Sequence, residues 1–218
     1  MKFKIKKSNP VPGVIHLLFQ NQYETCSTFM RLQEFYESPF KQIRGKFFTL
    51  EQFMDLYAKQ QGNFSYTCDW GGFNVPGHVI DDFFNKFDGQ LLEKEKQLKD
   101  LVADRAGMLA LGSKYYVIGM YGEECLDHEL AHALYYLNDE YRRQVNGLVK
   151  ALPESVKAAI AKWLLAKGYS KPLIVDETNA YLTTDTQEEL TGRFGKAVGK
   201  RYAKYEPFRR AFDDAKFE

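Results

Sequence analysis

Two histidines one helical turn apart, with a glutamate after the first, form the most distinctive string in this sequence. The segment 127–134 reads DHELAHAL and places His128, Glu129 and His132 in the spacing HExxH. Residues four apart in an α-helix lie on one face, so both imidazoles can point at one metal ion. Glu129 then lies beside a water molecule on that ion and can take its proton. The spacing predicts a zinc site that activates water for hydrolysis.

The residues around the motif predict the elements that must hold it. Apolar residues recur along one side of 126–137, as expected for an amphipathic helix. The string KYYVIGMY, residues 114–121, is β-branched and aromatic and predicts a strand that leads into this helix. The chain has four histidines, and two of them lie in the motif. The alternative interpretation is a pair of solvated or core histidines on an amphipathic helix.

The stretch 114–137 resembles the active-site strand and helix of the zincin metallopeptidases. In that family an edge strand before the motif helix pairs with an extended substrate. The resemblance therefore implies a peptide or protein substrate bound along strand 114–121. It also implies one Zn²⁺ held by His128 and His132, with Glu129 as the catalytic general base. The likeness is local and leaves the N-terminal half unassigned.

A catalytic zinc site requires a third protein ligand and an open coordination position. The metzincin extension HExxHxxGxxH is absent, because positions 135 and 138 hold Tyr and Asn. Gluzincins take a glutamate from a later helix, and the string DETNAY, residues 176–181, is similar to that helix. This resemblance implies Glu177 as the third metal ligand. The alternatives left open are Asp176, Asp185, His16 and His78.

The residue that stabilises the oxyanion should be a hydrogen-bond donor across the zinc ion. Many gluzincins have an aspartate four residues after the glutamate ligand, where this chain has Tyr181. We therefore predict a catalytic role for Tyr181, either in orienting a ligand or in donating a hydrogen bond to the oxyanion. Tyr202 and Tyr205 are alternative donors.

Composition and charge restrict the partners of this chain. Its residues are 44% apolar and 27% charged, as in ordinary globular proteins. The 30 basic and 29 acidic residues argue against a nucleic-acid partner, although basic residues collect in 193–210. Three separated cysteines predict a reducing compartment. Without an apolar run of membrane-span length or a secretory leader, we expect a cytoplasmic protein with no membrane partner.

The element pattern predicts an α+β fold, in which a zincin-like small sheet supports the motif helix. We expect a mainly helical region of unknown role at 1–110 and a zincin-like metallopeptidase core at 111–218, packed as one unit. A mostly helical segment 12–37 and a short apolar strand at 172–175 are also expected. The predicted activity is zinc-dependent peptide hydrolysis. Two alternatives remain: a zincin-scaffold binding or regulatory module with little turnover, and a metal-dependent hydrolase of another amide.

Overall fold

A computed structural model describes residues 6–8, 10–106 and 114–217. The chain divides into two units, Met1–Cys125 and Leu126–Glu218. The described residues of the first combine helices with a four-stranded sheet, and those of the second are helical, so the α+β class is confirmed. The expected boundary at residue 110 lies outside the described residues. No described helix has the length and apolar composition that crossing a bilayer requires.

The sheet belongs to the N-terminal unit and has the strand order β1-β2-β4-β3. Its strands are β1 (Lys6–Ser8), β2 (Val14–Leu18), β3 (Gly72–Pro76) and β4 (Tyr116–Met120). β4 pairs in parallel with β2 and antiparallel with β3. The expectation that strand 114–121 lies at a sheet edge is therefore wrong. All five residues of β4 are buried, as is typical of a strand covered on both faces.

The helices of the N-terminal unit contribute aromatic side chains to the core that this sheet shares. They are α1 (Gln22–Glu37), α2 (Leu50–Gln61), α3 (Tyr66–Asp69), α4 (Gly77–Lys86) and α5 (Glu93–Ala106). Because β2 precedes α1, the expectation of a mostly helical segment 12–37 is wrong for its first part. The Phe29 ring packs against Gly119 of β4, where an added Cβ would collide with it. A buried ion pair between Arg31 and Glu95 joins α1 to α5.

The described residues of the C-terminal unit form seven α-helices and two 3₁₀ helices. The first four α-helices are α6 (Leu126–Leu137), α7 (Asp139–Ala151), α8 (Glu154–Ala166) and α9 (Ile174–Thr184). The remaining three are α10 (Gln187–Phe194), α11 (Lys196–Gly199) and α12 (Glu206–Phe217). The two 3₁₀ helices span Lys171–Leu173 and Tyr202–Tyr205. The expected strand at 172–175 is therefore wrong, since Pro172 fits the first turn of a helix.

Helix α9 is the central element of the C-terminal unit. It packs against α6, α7, α8 and α12, and its residues 177–183 are all buried. A polar residue in such a position requires hydrogen-bond partners. The Tyr141 hydroxyl of α7 donates to Asn179 Oδ1 at 2.9 Å, and the Thr178 hydroxyl donates to the Ile174 carbonyl at 2.6 Å. The packing that buries α9 also places the polar side chains near its start against α6, the helix that carries the HExxH motif.

Candidate metal centre

The structure brings together the three side chains that the sequence analysis expected as metal ligands. His128 and His132 come from α6, and Glu177 comes from α9. One potential ligand atom from each lies within 4.8 Å of the other two. Glu177 Oε1 is 3.7 Å from His132 Nε2, and the two imidazole centroids are 5.0 Å apart. Tetrahedral zinc ligands lie about 3.4 Å from one another, so small side-chain adjustments would let one ion contact all three.

Asp176 orients the ring of His132. Its Oδ2 lies 3.0 Å from His132 Nδ1, while His132 Nε2 faces Glu177. Burial by itself would lower the pKa of His132, but Asp176, Glu177 and Glu129 raise it to about 10. A carboxylate on the outer nitrogen of a ligating histidine fixes its ring and strengthens it as a donor. Asp176, an alternative ligand in the sequence analysis, instead contacts the side of His132 that faces away from the cluster.

Thr184 determines which nitrogen of His128 faces the cluster. The Thr184 hydroxyl donates to the Ala180 carbonyl at 2.9 Å, so its oxygen accepts from His128 Nδ1 at 3.3 Å. This hydrogen bond assigns the proton to Nδ1 and leaves the Nε2 lone pair for a metal. Burial, together with His132 and Arg193, lowers the pKa of His128 to about 3. The ring is therefore neutral at physiological pH, which is the form that binds metals.

The carboxylates around His132 carry negative charge that fits a cation at this site. Asp176 lies against the outer nitrogen of this ring, and Glu177 lies against the nitrogen that faces the cluster. Two carboxylates and the half-buried Glu129 thus surround His132, whose elevated pKa reports their combined negative charge. A protonated imidazole offsets one of these three negative charges, and a divalent cation bound to the neutral ring would offset two.

Glu129 lies close to the cluster on the same helix as both histidines. Its charge raises the pKa of His132 and also that of Tyr169. It follows His128 directly in the chain, and its side chain is half-buried. A carboxylate in this position can exchange a proton with a water molecule at the cluster, as the HExxH spacing predicts.

Two tyrosines lie on one side of the cluster. The ring of Tyr181, predicted to be catalytic, packs edge-on against His128 at a centroid distance of 4.8 Å. Tyr169, in the connection between α8 and α9, shares a hydrogen bond with Tyr181. Burial and then the charge of Glu177 raise the pKa of Tyr169, which keeps its hydroxyl protonated as a donor. Sequence reasoning missed Tyr169 because no local pattern distinguishes it from the other tyrosines.

The remaining candidates from the sequence have other partners or lie in the other unit. Asp185 pairs with Arg193 at 2.8 Å, and burial raises its pKa to about 6. Tyr205 is buried and donates to the Val198 carbonyl, while the ring of Tyr202 lies under the Arg209 guanidinium. The two N-terminal alternatives, which belong to the first unit, are His16 and His78.

Comparison with known proteins gives no family for this chain. No protein-family model, no curated protein and no solved structure matches it. The zincin resemblance therefore stays a prediction, and the observations that fit a metal centre are the spacing and contacts of the chain's own residues.

Proposed function

We propose that this protein is a single-zinc metallopeptidase of the zincin type. The observation that carries the proposal is the convergence of His128, His132 and Glu177, from two packed helices, within the reach of one ion. Two imidazoles and one carboxylate form a ligand set of catalytic zinc sites, which keep a fourth position open for water or substrate. The neutral ring of His128 and the Asp176 partner of His132 support the same function.

The reaction follows from what each side chain can do. A bound Zn²⁺ supplies Lewis acidity, which lowers the pKa of water and polarises the substrate carbonyl. Glu129 takes a proton from the attacking water and passes it to the leaving amine. The Tyr181 hydroxyl accepts the hydrogen bond that Tyr169 donates, which leaves its own proton to donate to the substrate oxygen that gains negative charge. Asp176 and Thr184 hold the two imidazoles in their ligating orientations.

The proposed substrate is a peptide or protein, but its binding surface differs from the one expected from sequence. Both edges of β4 are hydrogen-bonded to neighbouring strands. A substrate strand cannot add to β4 without displacing β2 or β3, so strand 114–121 does not serve as the proposed substrate edge.

Metal content and turnover, measured together, test this proposal. The purified chain is loaded with zinc and assayed on casein and on a peptide library, with Glu129→Gln as the matched variant. We expect one zinc per chain in both proteins, and a loss of turnover of about 10²–10⁴-fold in the variant. One bound zinc without turnover would indicate a binding or regulatory module, and activity in Glu129→Gln equal to that of the original chain would contradict the assigned base.

A further inference from the structure

Basic residues are concentrated near the end of the C-terminal unit. In the segment 193–210 there is a single carboxylate, that of Glu206. The cations of this segment are Arg193, Lys196, Lys200, Arg201, Lys204, Arg209 and Arg210. The whole chain has a net charge of only +1, so this excess of positive charge is local.

Three of these cations are engaged with neighbouring groups. Arg193 pairs with Asp185 at 2.8 Å, and Arg210 pairs with Glu206 at 2.7 Å. Arg209 stacks over the Tyr202 ring and donates to the Tyr202 carbonyl. The other four are exposed, and none of them forms a salt bridge with a carboxylate of the described residues. We call these four, Lys196, Lys200, Arg201 and Lys204, the basic ridge.

The backbone beneath the basic ridge is anchored to the core of the unit. Val198, Gly199 and Tyr205 are buried, and the Tyr205 hydroxyl donates to the Val198 carbonyl at 3.1 Å. Gly199 lies so close to Thr191 of α10 that an added Cβ would collide with its side chain. The cations therefore project from a fixed segment, and the helical rise separates Lys196 and Lys200 by about 6 Å along the axis.

The exposed side chains between the cations are small, namely those of Ala197 and Ala203. Of the larger residues between them, Val198 is buried and Tyr202 is half-buried. Small neighbours leave the lysine and arginine heads accessible to an extended polyanion that lies along the surface. The four charges repel one another, and an anion that contacts several of them at once removes this repulsion and releases counterions.

We propose that the basic ridge binds the phosphate backbone of nucleic acid. Lysine and arginine contacts to phosphates give affinity that does not depend on base sequence. Lysine is depleted in protein–protein interfaces, which makes an acidic protein the poorer fit for a ridge of three lysines and one arginine. Binding to a membrane surface is stronger when apolar side chains insert beside the cations, and the exposed residues between the ridge cations are alanines.

The balanced net charge argued against nucleic acid as a partner of the whole chain. The affinity of the ridge for a phosphate, however, depends on the charges close to that phosphate. At about 0.1 M salt the field of a charge is screened beyond about 10 Å, so carboxylates farther away have little effect on a phosphate at the ridge. This inference does not depend on the metal centre, because none of the four ridge residues belongs to it.

Fluorescence anisotropy of a labelled DNA duplex with the whole 218-residue chain tests the proposal. Four phosphate contacts predict a slope of log K against log salt of about −3.6. Raising salt from about 50 to 200 mM then weakens binding by roughly 150-fold. The double variant Lys196→Glu with Lys200→Glu should reduce the slope to about −1.8 and the affinity at low salt by at least tenfold.

A second double variant controls for net charge. Lys41→Glu with Lys59→Glu changes two exposed lysines of the N-terminal unit and alters the net charge by the same amount. We expect it to keep most of the duplex affinity. Equal losses in the two double variants, or no salt-dependent binding by the original chain at low salt, would overturn the proposal. Ridge-dependent binding to phosphatidylserine vesicles that equals or exceeds duplex binding would also overturn it.

Discussion

His128 and His132 hold different protonation states although they lie one helical turn apart. Burial and nearby cationic groups lower the pKa of His128 to about 3. For His132, three carboxylates overcome the effect of burial and raise the pKa to about 10. A metal ion must therefore displace a proton from His132 but not from His128. Without metal, protonated His132 contributes stability that is fully present below about pH 6.5 and is lost as the pH rises through about 10.

This difference predicts the proton stoichiometry of zinc binding. Between pH 7 and 8 we expect about one proton released per zinc bound, and a zinc affinity that rises with pH as the competing proton is removed from His132. Calorimetric titration in buffers of different ionisation enthalpy measures the released proton. Asp176→Asn removes a charge that holds this proton and should decrease the release. Zinc binding that releases no proton in the original chain would contradict the assigned states.

Thr184 offers a second test at single-residue scale. Thr184→Val keeps the shape of the side chain but removes the acceptor for His128 Nδ1, so we expect zinc affinity to fall by about 10–100-fold. Thr184→Ser retains the hydroxyl and should restore affinity. Competition with a chromophoric chelator measures both variants, and unfolding curves check that the fold is kept. Valine and serine variants of equal affinity would show that this hydrogen bond does not orient the ligand.

Sequence was sufficient for the part of the candidate site that a single helix encodes. The HExxH spacing within one helix predicted His128, Glu129 and His132. The resemblance of 176–181 to the glutamate helix of gluzincins added Glu177. The positions of Asp176, Thr184 and Tyr169 beside the histidines could not be predicted in the same way. They depend on how α9 and the loop before it pack against α6, and this tertiary contact leaves no mark in residue spacing.

At the scale of elements, the motif helix was predicted with the bounds that the structure gives, 126–137. The position of the preceding strand, β4, inside the sheet was not predicted. Its partners are β2 and β3, which are distant from it in sequence. The unbroken apolar run of β4 was the available signal for an interior strand. The segment 172–175 is similarly apolar, but Pro172 and the packing of α9 make it the start of a helix.

The close contact between β4 and α1 gives an element-scale prediction. Gly119→Ala would force its new methyl group into the Phe29 ring, and we expect the free energy of unfolding to fall by about 1–3 kcal/mol. The matched control is Gly147→Ala in α7, where nothing lies within 4 Å of the added Cβ. That change should stabilise the protein by up to about 1 kcal/mol through helix propensity. Urea unfolding compares them, and similar effects from both would contradict the described packing.

At the scale of the whole molecule, all the proposed ligands and their orienting residues belong to the C-terminal unit. The chain has two tryptophans, Trp70 in the N-terminal unit and Trp163 in the C-terminal unit. Trp163 packs against Tyr181, which in turn contacts His128. Each unit therefore has its own fluorescent reporter, and only the C-terminal reporter is linked by packing to the proposed ligands.

Zinc should stabilise the two units unequally. With free zinc at about 100 times its Kd, the unit that binds it gains about 2.7 kcal/mol. We expect this gain in the free energy of unfolding to appear in the curve of Trp70→Phe, which retains the Trp163 signal. The curve of Trp163→Phe, which retains the Trp70 signal, should shift little. Equal shifts in both curves would mean that the two units unfold as one, and an unshifted Trp163 signal would contradict the location of the site.

The most direct test of the metal centre is anomalous scattering at the zinc absorption edge from crystals of the zinc-loaded protein. We predict one strong peak among His128, His132 and Glu177, with the ligand atoms at about 2.0–2.2 Å from it. A protein without a peak at these three side chains, or with its zinc held by other residues, would contradict the proposed centre and the hydrolytic function that depends on it.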